Sequence, residues 1–418
     1  MTYENAPSSR RTEAELLLCC ARTHVDPEGA ERISHLLGRE LDWNYLIGKA
    51  SWHGLLPLLY WNIRGINPLA VPTITWSRLE AHFHWNTKRC LFLTGELFKI
   101  LDLFSNQGIK ACPFKGPLLS VAFYGNIGLR SFGDLDILVP REDIHKAVDL
   151  LTSLGYGDDT AKEQLDTDAG DVDPERIGYL QPHHYTMTRD VTSLGLGSSR
   201  VDLQWRISET HFAFSLDSEK RWAQLTDISI LNRKVPSFPL DDLFLILSVH
   251  GCKHYWYRMK WICDIAEILR TNEAQNWNAC METAKQLGVE RMIKLSFFLA
   301  RNLLDAPVPS ALWQEIAKDS GIISTARWIS QRLFVESEGR ISNKRLFFFY
   351  LGMKDNWLDR VRHSLNYVWQ FLCAIITPTR KEQAIIRLPS LLFFLYYFIR
   401  PLRLSAKYSR RTMRRTRN

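Results

Sequence analysis

Two aspartates one residue apart, Asp134 and Asp136, stand in the run Arg130-Ser-Phe-Gly-Asp-Leu-Asp-Ile-Leu-Val139. The stretch Asp-Leu-Asp-Ile-Leu-Val has the composition of a strand, in which side chains alternate faces with a period of two. Both carboxylates then point one way, while Leu135 and Ile137 point into a core. Like charges held side by side repel unless a cation lies between them. Hard divalent ions with oxygen ligands, Mg²⁺ above all, meet that need and bring phosphates with them. An isolated Asp-x-Asp occurs often by chance without marking a metal site, so the surrounding residues must decide.

About twenty residues upstream, Ala111-Cys-Pro-Phe-Lys-Gly-Pro117 reads as a short extended segment that breaks at Lys115-Gly116-Pro117. It then enters a helix-like stretch, Leu118 to Tyr124. Proline suits a first helical turn, and the free amides there favour an anion. Lys115 adds a positive charge, and Gly116 lets a phosphate approach the backbone. A third carboxylate follows in Arg200-Val-Asp-Leu-Gln-Trp-Arg-Ile207, whose alternation places Val201, Leu203, Trp205 and Ile207 on one face and Asp202 and Gln204 on the other. His184 to Arg189 reads as its hairpin partner across a Gly/Ser-rich turn. Taken alone, Asp202 fits an exposed sheet face. Beside the Asp-x-Asp strand it would complete a set of three carboxylates.

These features resemble the uncharacterised bacterial nucleotidyltransferase family of the DNA polymerase β-type superfamily, over roughly residues 12 to 300. The likeness rests on Lys115-Gly116, an intervening helix, Arg130, Asp134-Leu-Asp136 and Val-Asp202-Leu-Gln-Trp. Lys115-Gly116 stands where the superfamily usually has Gly-Ser, as is typical of this branch; Gln204 stands where relatives often carry His. The resemblance implies an α+β fold: a mixed sheet with flanking helices, set between N-terminal and C-terminal helical regions. It implies that Asp134 and Asp136 bind the Mg²⁺ (or Mn²⁺) ions holding the triphosphate of an NTP such as ATP. Asp202 would complete a second metal site where an acceptor hydroxyl is activated. Lys115, Gly116 and Arg130 would contact phosphate oxygens. Such transfer is mostly positioning and charge neutralisation, so no side-chain nucleophile is required. Relatives are found near polysaccharide and peptide-natural-product biosynthesis genes.

The elements that must position these residues divide the chain into four expected regions. Residues 1–107 are helical, with amphipathic runs from Glu13 and from Trp76 to Asn106; 108–235 hold the α/β core. A helix from Glu142 to Leu154 should stop at Gly155. The acidic stretch Gly157–Arg176 reads as a solvated loop that nothing rigid orders for metal binding. Residues 236–330 turn helical again, beginning with an N-cap signal at Asp241 and running to His254. His250 and His254 share a face there. With Cys252 facing elsewhere they make a poor zinc site. Two readings stay open for the pair: core histidines, or a substrate role in which Lys253 and His254 reach the nucleotide or its acceptor. Asp264 is expected to pair with one of these bases. The tryptophans, among them Trp52, Trp205, Trp256, Trp261 and Trp277, read mostly as core residues.

Composition bounds the rest. The 418 residues, 46% hydrophobic, are enough for a large core and two or three domains. Eight cysteines without a Cys-x-x-Cys pair, and a polar start, fit reduced thiols and a cytoplasmic location. A Gly-rich dinucleotide fingerprint, a P-loop, heptads and internal repeats are all absent from the sequence. The net charge of +8 is uneven: residues 340–418 carry 17 Lys/Arg against three Asp/Glu. The basic region 331–418, with its tail, seeks polyanions, either an anionic membrane surface (peripheral at the inner membrane) or, less directly, nucleic acid. Leu391 to Ile399 is apolar but far short of the ~20 residues a spanning helix needs. It reads as a buried helix, or as one lying in a membrane interface. The expected activity is transfer of a nucleoside monophosphate to a hydroxyl of a small molecule, sugar, peptide or protein. The alternative is a non-catalytic nucleotide-binding scaffold that recruits partners or membrane through its basic end.

Overall fold

Strand alternation and helical periodicity both appear as expected in the computed structural model, which describes residues 11–159, 184–207, 219–334, 343–376 and 389–400. The expected loop over 160–176 and the basic tail 401–418 lie outside the described residues. The chain divides into two units: one of residues 1–161, 183–340 and 352–355, the other of 162–182, 341–351 and 356–418.

The first unit opens with helices α1 (Arg11–Cys19), α2 (Pro27–Leu37), α3 (Trp43–His53), α4 (Leu56–Ile66) and the long α5 (Thr73–Asn106). Asp26 and Asp42 cap α2 and α3 by accepting from the Gly29 and Tyr45 amides. Along α5, Cys90, Leu93, Leu97, Ile100 and Phe104 recur at helical spacing and are fully buried.

The sheet follows: β1 (Cys112–Pro113), β2 (Asp134–Leu138), β3 (Gly157–Asp158), β4 (His184–Asp190) and β5 (Ser198–Gln204). Its order is β1-β2-β5-β4-β3, with β2 and β5 parallel and the other pairs antiparallel. This is the mixed sheet of an α+β fold. A short helix α6 (Pro117–Ala122) leaves β1, and α7 (Ile144–Ser153) follows β2. Leu135 and Ile137 of β2 and Val201 and Leu203 of β5 pack with α5 and with Ile144, Ala147 and Leu151 of α7. One face of the sheet is therefore sealed by two helices, and the polar alternates are left on the other.

Three local expectations need correction. Gly157 and Asp158, read as the start of a loop, pair with Thr188 and Met187 as an edge strand. β5 ends at Gln204, so strict alternation does not reach Ile207, which turns instead toward the polar face. The helix expected to be capped at Asp241 begins two residues earlier; Pro239 holds the cap position, and Asp241 and Asp242 lie in the first turn. Proline's fixed φ permits that start, and the two carboxylates complement the amide dipoles.

The first unit continues through α8 (Glu219–Trp222) and the hairpin β6 (Thr226–Ile230) and β7 (Arg233–Ser237). Helices α9 (Leu240–Lys253), α10 (Met259–Thr271), α11 (Trp277–Gln286), α12 (Glu290–Leu304), α13 (Ser310–Ile316) and α14 (Ser320–Leu333) complete it. The turn from α9 to α10 holds Tyr255 and Trp256 at φ +39° and +53°. Trp256 is fully buried against Gly251, where a Cβ would lie 2.4 Å from the indole ring. Glycine at 251 is what lets the ring anchor this turn. The described residues continue with α15 (Asn343–Gly352), α16 (Trp357–Ile376) and a 3-10 turn at Ser390–Leu395. Among the described residues no helix is long and apolar enough to cross a membrane.

Candidate active site

On its polar face the sheet borders a cavity of about 520 Å³. β2 and β5 run parallel with Asp134 beside Arg200 and Asp136 beside Asp202. Residues in lateral register project to the same side of a sheet, so Asp134, Asp136 and Asp202 all line one wall. This juxtaposition joins residues 66 positions apart and follows only from strand pairing.

Asp136 is the most enclosed of the three, with 8% of its surface exposed. Its Oδ1 accepts from Lys115 Nζ at 3.1 Å and from Gln204 Nε2 at 2.9 Å. Burial pushes its pKa up to about 6; Lys115 opposes the rise, and Asp134 and Asp202 add to it. A buried carboxylate with two acidic neighbours resists ionisation until more positive charge arrives. Asp202 Oδ1 accepts from Thr186 Oγ1 and from Arg200 Nε, each at 3.0 Å. Among the described residues, no three His, Cys, Asp or Glu side chains are arranged around a common point as they stand. The protein's own donors hold Oδ1 of Asp136 and Oδ1 of Asp202. As a donor set, three carboxylates on one wall are all hard oxygen, which suits Mg²⁺ or Mn²⁺ and excludes a soft-metal preference. A divalent ion there would supply the charge that Lys115 and Arg200 supply now.

Lys115 and Gly116 form the edge of the cavity next to β2. Gly116 has φ +54° and ψ −122°, a conformation that penalises any side chain, although a Cβ there would meet its neighbours only at ordinary contact distance.

Helices α9 and α10 form the opposite wall. His250, Lys253, His254, Tyr257, Arg258, Lys260 and Trp261 line it. His254 stacks on Trp261 at 5.1 Å between centroids, and Tyr257 meets the same indole edge-on at 4.8 Å. Burial lowers the pKa of both histidines, His254 to about 3, with Lys253 and Lys115 among the charges that reinforce it. The pair is therefore neutral across the physiological range, and the wall is an aromatic surface edged by cations.

Arg130, expected at the phosphates, lines the cavity but is held from behind. Its Nε and Nη2 donate to the two oxygens of Asp264 at 2.7 and 2.8 Å, and Tyr124 Oη donates to the same carboxylate at 2.8 Å. The expectation that Asp264 pairs with one of the bases His250, Lys253 or His254 is thus corrected: it faces the loop before β2, and the fork of Arg130 fills it. Trp261 is also a cavity residue rather than a core one, and Trp52 is 41% exposed beneath the Arg258 guanidinium.

Lys260 escaped the sequence reading. It is half-buried beside the cavity, its pKa lowered to about 8 chiefly by desolvation and then by Arg130, with Asp134 and Asp264 opposing. The available signal was a basic pair, Arg258 and Lys260, at the start of an amphipathic helix. Arg200 was missed as well, since its register neighbour Asp134 is known only from the pairing.

A family model described as an uncharacterised nucleotidyltransferase matches residues 39–305, which include every residue of both walls. No curated protein and no solved structure matches the chain.

Proposed function

We propose that this chain, which belongs to the uncharacterised nucleotidyltransferase family, transfers a nucleoside monophosphate from an NTP to an acceptor hydroxyl on a small molecule, sugar, peptide or protein. The observation that carries the reading is the lateral pairing of Asp136 with Asp202, beside Asp134, inside the matched segment. The charges facing the cavity point the same way: Lys115, Arg130, Arg200, Lys253, Arg258 and Lys260 against three aspartates. Such an excess suits a triphosphate, whose charge would otherwise be costly to bury.

Asp134, Asp136 and Asp202 would hold Mg²⁺ or Mn²⁺, which when bound supplies charge neutralisation at the attacking and leaving oxygens. The protein's part is positioning. Lys115 and Arg200 shift from carboxylate to phosphate oxygens, and Arg130, locked by Asp264, presents fixed positive charge. The aromatic wall of Tyr257 and Trp261 takes the base by stacking. The acceptor oxygen bonds to the α-phosphorus as the bond to the bridging oxygen breaks. Pyrophosphate leaves with the electron pair, and the acceptor's proton passes to Asp202.

The test is pyrophosphate release and covalent labelling from α-labelled NTPs supplied with fractionated extract and Mg²⁺. The expected result is a labelled product with wild type and none with Asp136→Asn. Labelling that survives this substitution would overturn the proposal. NTP binding without turnover under every fraction would favour a nucleotide-binding scaffold.

A further inference from the structure

We propose that the exposed apolar stripe of α16 is a docking surface for the interface of an anionic membrane. Trp357, Leu358, Val361, Leu365, Val368 and Trp369 recur at spacings of three and four, so they share one face of this 20-residue helix. That face is turned outward: Trp357 is 69% exposed, Leu365 65% and Trp369 66%. The inward side carries His363, stacked on Phe347 at 5.6 Å. Ordinary amphipathic helices bury the apolar side and expose the polar one, so this arrangement is inverted and leaves a contiguous apolar strip in water.

Charge identifies the occupant. Arg360 and Arg362 flank the strip, Arg362 beside Asp359 at 3.9 Å, and by sequence residues 340–418 hold 17 basic side chains against three acidic ones. Two copies meeting through this face would bring like charge together, whereas anionic headgroups neutralise it. A polynucleotide would satisfy the cations and leave the apolar strip uncovered. Trp357 and Trp369 lie twelve residues apart, about 18 Å along the axis, so a helix lying flat sets both indoles at one depth. The same unit exposes a second apolar set, Phe393, Tyr397 and Phe398. Neither segment can span a bilayer, so the mode is attachment rather than insertion.

The experiment is flotation of the full chain with phosphatidylcholine vesicles and with vesicles containing about one third phosphatidylglycerol. Binding to the anionic vesicles, lost in high salt, is expected. Leu365→Glu with Trp369→Glu should reduce it at least tenfold while the melting temperature and NTP binding are kept. The milder Leu365→Ser serves if that pair fails to fold, and quenching of tryptophan fluorescence by brominated lipid reads depth directly. No flotation with anionic vesicles, undiminished flotation of the variants, a Leu365-dependent dimer in light scattering without lipid, or capture by polynucleotide alone would each overturn the proposal. None of these outcomes depends on whether nucleotide transfer occurs.

Discussion

Arg130 and Asp264 form a buried two-point ion pair, Nε to Oδ1 at 2.7 Å and Nη2 to Oδ2 at 2.8 Å, across 134 residues of sequence. Arg130 belongs to the loop that leads into the carboxylate strand; Asp264 belongs to the helix carrying Lys260 and Trp261. The pair therefore fixes the two walls of the cavity against each other. Removing one partner leaves a buried charge uncompensated, which costs far more than the intact pair contributes.

Asp264→Ala is accordingly expected to lower unfolding free energy by about 3–5 kcal/mol. Chemical denaturation measures it. Arg130→Met with Asp264→Leu should recover much of that loss in stability but not NTP binding, because the fixed positive charge at the cavity is then gone. Recovery of both would show that Arg130 is structural only.

The Asp136 carboxyl holds its proton up to about pH 6 when folded, against 3.8 for an ordinary aspartate. Between those values the folded state binds more protons than the unfolded one, so this group costs stability as pH rises, and the full cost is present above pH 6. Asp136→Asn removes it. The variant should gain on wild type between pH 4 and pH 7.5 by on the order of 3 kcal/mol. Millimolar Mg²⁺ should narrow the gap at pH 7.5, since a bound cation favours the ionised form. Melting curves of both proteins at three pH values decide this; a constant difference would mean that the carboxyl titrates normally.

Trp261 stacks on His254 and lines the cavity with Tyr257. If a base lies on this wall, Trp261→Ala should weaken NTP binding about tenfold or more, from the 1–3 kcal/mol of a base–aromatic stack. Inorganic triphosphate, which has no base, should bind the variant as it binds wild type. Calorimetric titration with both ligands separates stacking from a general collapse of the site.

Lys260, with its pKa lowered to about 8, carries its charge below that pH and loses it above. Triphosphate affinity should fall as pH rises from 7 to 9, by roughly threefold to tenfold. Lys260→Arg should flatten that profile, since a guanidinium stays charged throughout. An unchanged slope in the variant would assign the pH dependence to another group.

Local periodicity carried much of this protein into view before any coordinates. Alternation is a two-residue property, so the shared face of Asp134 and Asp136 and the core-facing Leu135 and Ile137 follow from backbone geometry alone. The same holds for the break at Lys115-Gly116-Pro117, where residue chemistry limits the conformations available. The stripe of Leu93, Leu97, Ile100 and Phe104 on α5 is legible for an equally local reason.

Tertiary structure alone decided which distant residues became neighbours. That Asp202 stands beside Asp136, Arg200 beside Asp134 and Asp264 beneath Arg130 depends on strand register and helix docking, which are set by burial summed over many residues. The turn of Ile207 toward the cavity depends on where β5 ends, and the depressed pKa of Lys260 on how far its helix is desolvated. Short-range patterns name the chemical groups; long-range packing determines which of them meet and how much water reaches them.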